Sequence, residues 1–143
     1  MKKKTFAFLP ILPLMFLILG FKSTVEQPKD FKISMARGKE IYERVCIACH
    51  QADAGGVPNM IPPLTGTKWV LGDKKVMINI VLKALKGGEI EINGDTFANP
   101  MPAQDELMTD QEIADVITYV RNSFGNKASA VRAAEVKALR KAK

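Results

Sequence analysis

The chain has 143 residues, enough for one domain with appendages at its ends. Its formal charge of +6 comes from those ends: four lysines precede Thr24, and six basic residues stand against one acidic residue after Asn126. The 24–126 stretch between them is mildly acidic, which excludes a nucleic-acid-binding domain, because such a domain carries its basic face on itself.

Met1-Lys2-Lys3-Lys4 followed by the apolar run from Phe6 to Phe21 reads as an export signal over residues 1–23, and so as a periplasmic or otherwise extracytoplasmic destination. The run is shorter than the roughly 20 apolar residues of a spanning helix. It also holds Pro10 and Pro13. An uncleaved membrane anchor is the alternative, since Ile18 and Gly20 make a poor cleavage site.

A polar linker leads to Ser34, which is expected to cap a first helix running to about Cys49. Ile41, Val45 and Ala48 would form its inward stripe. Gly38 either lets another helix cross closely, one turn from Tyr42, or is a plain tolerated glycine. The helix ends in Cys46-Ile47-Ala48-Cys49-His50, the attachment pattern for c-type haem. Near a helix end, Cys46, Cys49 and His50 share one face, at i, i+3 and i+4. Two thiols can then bond the two vinyl groups of one porphyrin while the imidazole reaches the iron. A thioredoxin-like redox pair would want a βαβ context, which the chain lacks. A zinc half-site would need two more ligands, and the chain has no other Cys or His. Thioether bonds would consume both cysteines.

After His50 the chain turns irregular, through Gly55, Gly56, Pro58 and Ile61-Pro62-Pro63-Leu64-Thr65-Gly66. Its apolar residues suit a loop folded over an apolar cofactor. A haem-binding histidine needs its other ring nitrogen held, and Pro63 is the expected carbonyl donor. Trp69 is either core packing or a lining of the haem edge, with its indole N–H on a propionate.

Asp73 starts a second helix running to about Lys86, with Met77, Ile80, Val81 and Ala84 on its apolar face. Lys74, Lys75, Lys83 and Lys86 form its wet face, solvated or docking an acidic partner. Gly87-Gly88 ends it. Alternation around Asn93-Gly94 predicts a small hairpin. Asn99-Pro100-Met101-Pro102 presents a methionine between two prolines. Thr109 and Glu112 make a capping box, with Met108 and Ile113 as its hydrophobic staple. Ile113, Val116, Ile117 and Val120 give the third helix its buried stripe, ending near Asn122. Tyr119 on this helix would meet the Gly38/Tyr42 region. Residues 127–143, basic and alanine-rich, are expected as a loosely attached helix outside the fold. It would act in docking or at a membrane surface, or be only a solvated terminal helix.

Together these segments resemble class I bacterial cytochrome c over residues 33–125: Cys-Ile-Ala-Cys-His closing the first helix, Pro62-Pro63-Leu64 after it, a middle helix, Met101-Pro102, and a last helix bearing Tyr119-Val120-Arg121-Asn122. Ile92-Asn93-Gly94 and the run from Tyr119 to Gly125 resemble members that accompany quinoprotein dehydrogenases, nitrite reductases or terminal oxidases. The resemblance implies an all-α fold, with three main helices around one covalently bound haem c and the first and last helices crossing. It implies His50 as proximal and Met101 as distal iron ligand. Elimination among the methionines agrees. Met1 and Met15 lie in the signal, Met35 precedes the proximal motif, and Met77 and Met108 have packing roles. Met60 is the rival, ten residues past His50. The implied function is one-electron transfer between a dehydrogenase or respiratory complex and a terminal oxidase or reductase. A dedicated haem subunit of an oxidoreductase is the first alternative, a haem peroxidase or gas-binding cytochrome the second.

Overall fold

A computed structural model describes residues 30–85 and 89–142. The expected export signal, and the Lys86 and Gly87-Gly88 end of the second helix, lie outside these residues. The first helical stretch is unbroken from Phe31 to His50 but changes its winding. It comprises α1 (Phe31–Ile41), a π-turn (Tyr42–Cys46) and α2 (Ile47–His50). It starts earlier than expected, after Asp30, whose side chain makes no capping bond. Ser34 is therefore not a cap. It is buried inside α1, and its hydroxyl donates to Asp115 Oδ1 at 2.6 Å. The predicted stripe breaks beyond Ile41: Ala48 is exposed, while Val45 lines an apolar cleft. A π-turn takes one extra residue, which rotates everything after it by about 100° relative to a regular helix.

Helix α5 (Asp110–Arg121) begins with the predicted capping box. Thr109 N donates to Glu112 Oε2 at 2.9 Å, and Glu112 N donates to Thr109 Oγ1 at 3.2 Å. Its stripe of Ile113, Val116, Ile117 and Val120 is buried. Helix α5 crosses α1 at Gly38, where a Cβ would stand 2.7 Å from Tyr119 Cβ and closer still to the Asp115 carbonyl oxygen. Beside this crossing Asp115, only 1% exposed, accepts from Ser34, from Arg37 Nε at 2.6 Å and from Gln111 Nε2 at 2.9 Å. A buried carboxylate is tolerated because its oxygens are answered in this way. Tyr42, Tyr119 and Phe124 pack ring against ring at 5.2–5.7 Å beyond the crossing.

Between these helices the chain forms a short helix that sequence patterning did not predict, α3 (Lys68–Leu71), capped by Thr67. Next comes α4 (Lys74–Lys83), capped by Asp73 through Lys75 N at 2.9 Å. Met77, Ile78, Val81 and Leu82 are its buried residues. The helix stops at Ala84, which has φ 73°, so Ala84 caps it instead of continuing its apolar face. Strands β1 (Ile90–Ile92) and β2 (Asp95–Phe97) pair antiparallel, with Ile90 opposite Phe97. Asn93 and Gly94, at φ 56° and 90°, give the two positive angles that a type I′ turn needs.

The C-terminal segment corrects the sequence expectation. It is helical over α6 (Ala133–Lys141), but it is packed into the fold and not loosely attached. Val131 and Val136 are buried in the main core, Val136 completely. Thr118 Oγ1 accepts from Val131 N at 2.9 Å and donates to its carbonyl at 3.2 Å. Arg121, 2% exposed, donates to the carbonyls of Val70, Gly72 and Ser129. Alanine and lysine enrichment concealed two valines that bury themselves and a strap whose backbone satisfies α5.

Gly38→Ala tests the crossing. The added methyl has to push two helices apart, and overpacking of this kind costs about 1–3 kcal/mol. A melt of the loaded protein is expected to shift downward by several degrees, and an unchanged melt would show that the crossing can yield.

Candidate functional site

Rephased by the π-turn, the end of the first helix faces an apolar cleft enclosing about 1220 Å³, part of it open to solvent. Cys46, Cys49 and His50 line it from the helix, Trp69 from α3 and Met101 from the segment after the hairpin. His50 is 8% exposed, and its Nδ1 donates to the carbonyl of Pro62 at 3.2 Å. The donor is therefore Pro62 and not Pro63, which lines the cleft beside it. Two tethers decide between them: Val57 bridges Ile61, and Leu64 N donates to Ala54 O at 2.8 Å. Between these points only Pro62 turns its carbonyl toward the ring. Gly56, at φ 70°, allows the approach, since a Cβ there would sit 2.8 Å from Pro62 O.

Asn126 holds the next stretch of the same loop. Its side chain accepts from Gly66 N and donates to Leu64 O, both at 2.8 Å. Neither Pro62 nor Asn126 carries a signal in sequence, because each role depends on where a loop returns. Burial lowers the His50 pKa, against the opposing effect of the Pro62 bond, so the ring is neutral near pH 7 with Nε2 free. Burial and the neighbouring Cys49 push the Cys46 thiol up to about 11.

Three methionines line the cleft: Met77, Met101 and Met108. Met60, the rival expected from spacing, is half exposed and does not line it. Met77 and Met108 belong to the packed core, whereas Met101 is partly buried in a loop between two prolines. Trp69 lines the cleft, and its Nε1 is buried without a hydrogen-bond partner. Gln104 Oε1, also at the cleft, is buried and unpartnered too. A large apolar cleft with a buried N–H awaiting an acceptor, two cysteines and a neutral histidine fits a porphyrin carrying acidic side arms.

A family profile described as Cytochrome c matches residues 35–124. The chain belongs to the cytochrome c family. It is 37% identical over 106 residues to the cytochrome c subunit of a quinone alcohol dehydrogenase from Gluconacetobacter polyoxogenes, covering 72% of this chain and 22% of that protein. It is 36% identical over 111 residues to the gluconate 2-dehydrogenase cytochrome c subunit of Pantoea cypripedii, covering 73% and 24%. It is 31% identical over 115 residues to cytochrome c-552 of Thermus thermophilus, covering 78% and 70%. The chain thus spans about a fifth of the length of the dehydrogenase subunits. Membership in this family brings covalently attached haem c, with Cys46 and Cys49 at the attachment spacing.

Without that group the cleft would sit empty in a domain too small to afford a large void. A Cys46→Ala/Cys49→Ala protein is expected to fold poorly, with weakened circular dichroism and no cooperative melt. A native-like spectrum with a sharp melt would contradict this.

Proposed function

We propose that this cytochrome c carries single electrons on a haem that Cys46 and Cys49 would hold covalently and whose iron His50 and Met101 would ligate. One observation supports the reading most: His50 is anchored through Nδ1 at Pro62, leaving Nε2 for the metal, while Met101 enters the same cleft from a separate segment. When bound, the haem iron supplies one-electron exchange between ferric and ferrous states, and a His/Met pair raises its potential. The protein's own residues do the rest. Pro62 fixes the tautomer and orientation of His50. The apolar lining keeps water from the ring. The Trp69 N–H is available to a propionate. Two protein ligands would leave no open position for a substrate, so electron transfer is favoured over peroxidase or gas-binding chemistry.

Partners follow from the relatives. Several are cytochrome c subunits of dehydrogenases, which supports a dehydrogenase as electron donor. A second reading, a dedicated haem subunit of such an enzyme, is favoured by these relatives being more similar in sequence than cytochrome c-552. Co-purification at fixed stoichiometry would select it over a free carrier. The family and the basic, apolar N-terminus support an extracytoplasmic location, periplasmic in a bacterium, through a cleaved signal or an anchor. No helix among the described residues is long and apolar enough to cross a membrane.

The ligand assignment has a direct test. Met101→Ala is expected to remove the weak red sulfur-to-ferric-iron band and to open the iron to carbon monoxide. It should lower the potential on the order of 0.1 V, a fraction of the ~0.8 V that axial ligands span. Met60→Ala should leave all three unchanged. Loss of the band in Met77→Ala or Met108→Ala, with Met101→Ala unaffected, would reassign the ligand.

A further inference from the structure

We infer that Arg140, on the C-terminal helix, is a positioning residue that latches the Met101 loop against the cleft; this rests on Met101 being the distal ligand. The loop from Met101 to α5 has few tethers of its own. Leu85 N donates to Met101 O at 3.2 Å, and Gln104 N donates to Val81 O at 2.9 Å, so both of these ties run to the α4 side. On the other side, among the described residues, the tie is Arg140. Its Nε donates to Asp110 Oδ1 at 2.7 Å, its Nη2 to Met108 O at 2.9 Å and its Nη1 to Asp105 O. One guanidinium thus spans the descending end of the loop and the first turn of α5. The planar fork meets acceptors in three directions, which a lysine ammonium on its flexible stem cannot do with the same geometry.

The latch is itself anchored. Glu135 pairs with Lys74 at 2.6 Å, and Lys83 Nζ donates to Ala142 O at 3.0 Å, so α6 is fastened to α4 at both ends. The α4 helix, the Met101 loop and α6 form a closed ring of contacts around the distal side. The family profile ends at residue 124, so α6 and its arginine lie beyond the shared domain. A thioether is a weak ligand, and the free energy of holding it depends on how little freedom its loop retains. Arg140 removes freedom where the prolines flanking Met101 do not reach.

The test uses the haem-loaded protein as wild type, Arg140→Ala, Arg140→Lys and Val136→Ala. The readouts are the ferric sulfur-to-iron band as a function of temperature, carbon monoxide binding to the ferrous form, and the global melt. Arg140→Ala is expected to lose the band well below its melting temperature. It should bind carbon monoxide at least about tenfold faster, the factor implied by losing one charge-assisted hydrogen bond. Arg140→Lys should fall between it and wild type. Val136→Ala should lower the melt yet leave carbon monoxide binding unchanged at temperatures well below it. Equal melts and wild-type carbon monoxide rates in both arginine variants would overturn the latch. So would acceleration in Val136→Ala matching that in Arg140→Ala, which would make the arginine ordinary support. If Arg140→Ala does not accumulate with haem, Arg140→Lys decides: a faster rate supports the latch and a wild-type rate overturns it. A wild-type protein lacking the band would overturn the ligand reading, and the latch with it.

Discussion

Helix α1 must face α5 through Ser34, Gly38 and Ile41, and the same helix, twelve residues past Gly38, must present His50 to the cleft. A regular helix turns about 100° per residue, which would leave Cys46 about 80° and His50 about 120° around from Gly38. The π-turn at Tyr42–Cys46 absorbs one residue and brings both to within about 20° of that line. One extra residue therefore lets a single rod serve two contacts in line. Tyr42 opens the π-turn and secures it: its hydroxyl donates to Gln51 O at 2.7 Å, and its ring packs on Tyr119 and Phe124. Burial raises the Tyr42 pKa, so the phenol keeps the proton that it donates. Helix crossing, aromatic cluster and cysteine placement are thus parts of one arrangement.

A second constraint is volume. The domain closes around a cleft where larger proteins would place side chains, so much of its core is completed by the bound group. The C-terminal strap adds apolar burial through Val131 and Val136 and supplies hydrogen bonds that the main helices cannot make for themselves. It also reaches both sides of the site: Asn126, just before it, holds the Leu64–Gly66 turn, and Arg140 holds the loop past Met101. Its positive charge, conspicuous in composition, is partly spent on these internal partners.

What sequence revealed and what it hid divide along physical lines. Local chemistry was legible: the Cys46–His50 spacing, the Thr109/Glu112 box and the Asn93-Gly94 turn depend on neighbours in the chain. Gly38 was legible as a question, and the Asp115 and Tyr119 backbone and Cβ positions answer it as a crossing. Ser34 was misread because a hydroxyl near a helix start suits a cap as well as a distant carboxylate. Ala48 was misplaced because no sequence rule predicts an added residue per turn at Tyr42. Pro62 and Pro63 differ only in where a tethered loop aims its carbonyls, and Met60 stood as a rival to Met101 on spacing alone. The Ala-rich segment looked detached because its two buried valines are too few to make a pattern.

The central claim is that the iron, when bound, is held by two protein ligands in both oxidation states and exchanges one electron. It is tested most directly by a redox titration of the haem-loaded protein, run under argon and again under carbon monoxide. The account predicts a single one-electron transition at the same potential in both gases. If the ferrous iron has an open or easily opened position, carbon monoxide will bind it and stabilise the reduced form by mass action. The potential would then rise by about 59 mV for each tenfold excess of gas over its dissociation constant, and a rise of that kind would contradict the account.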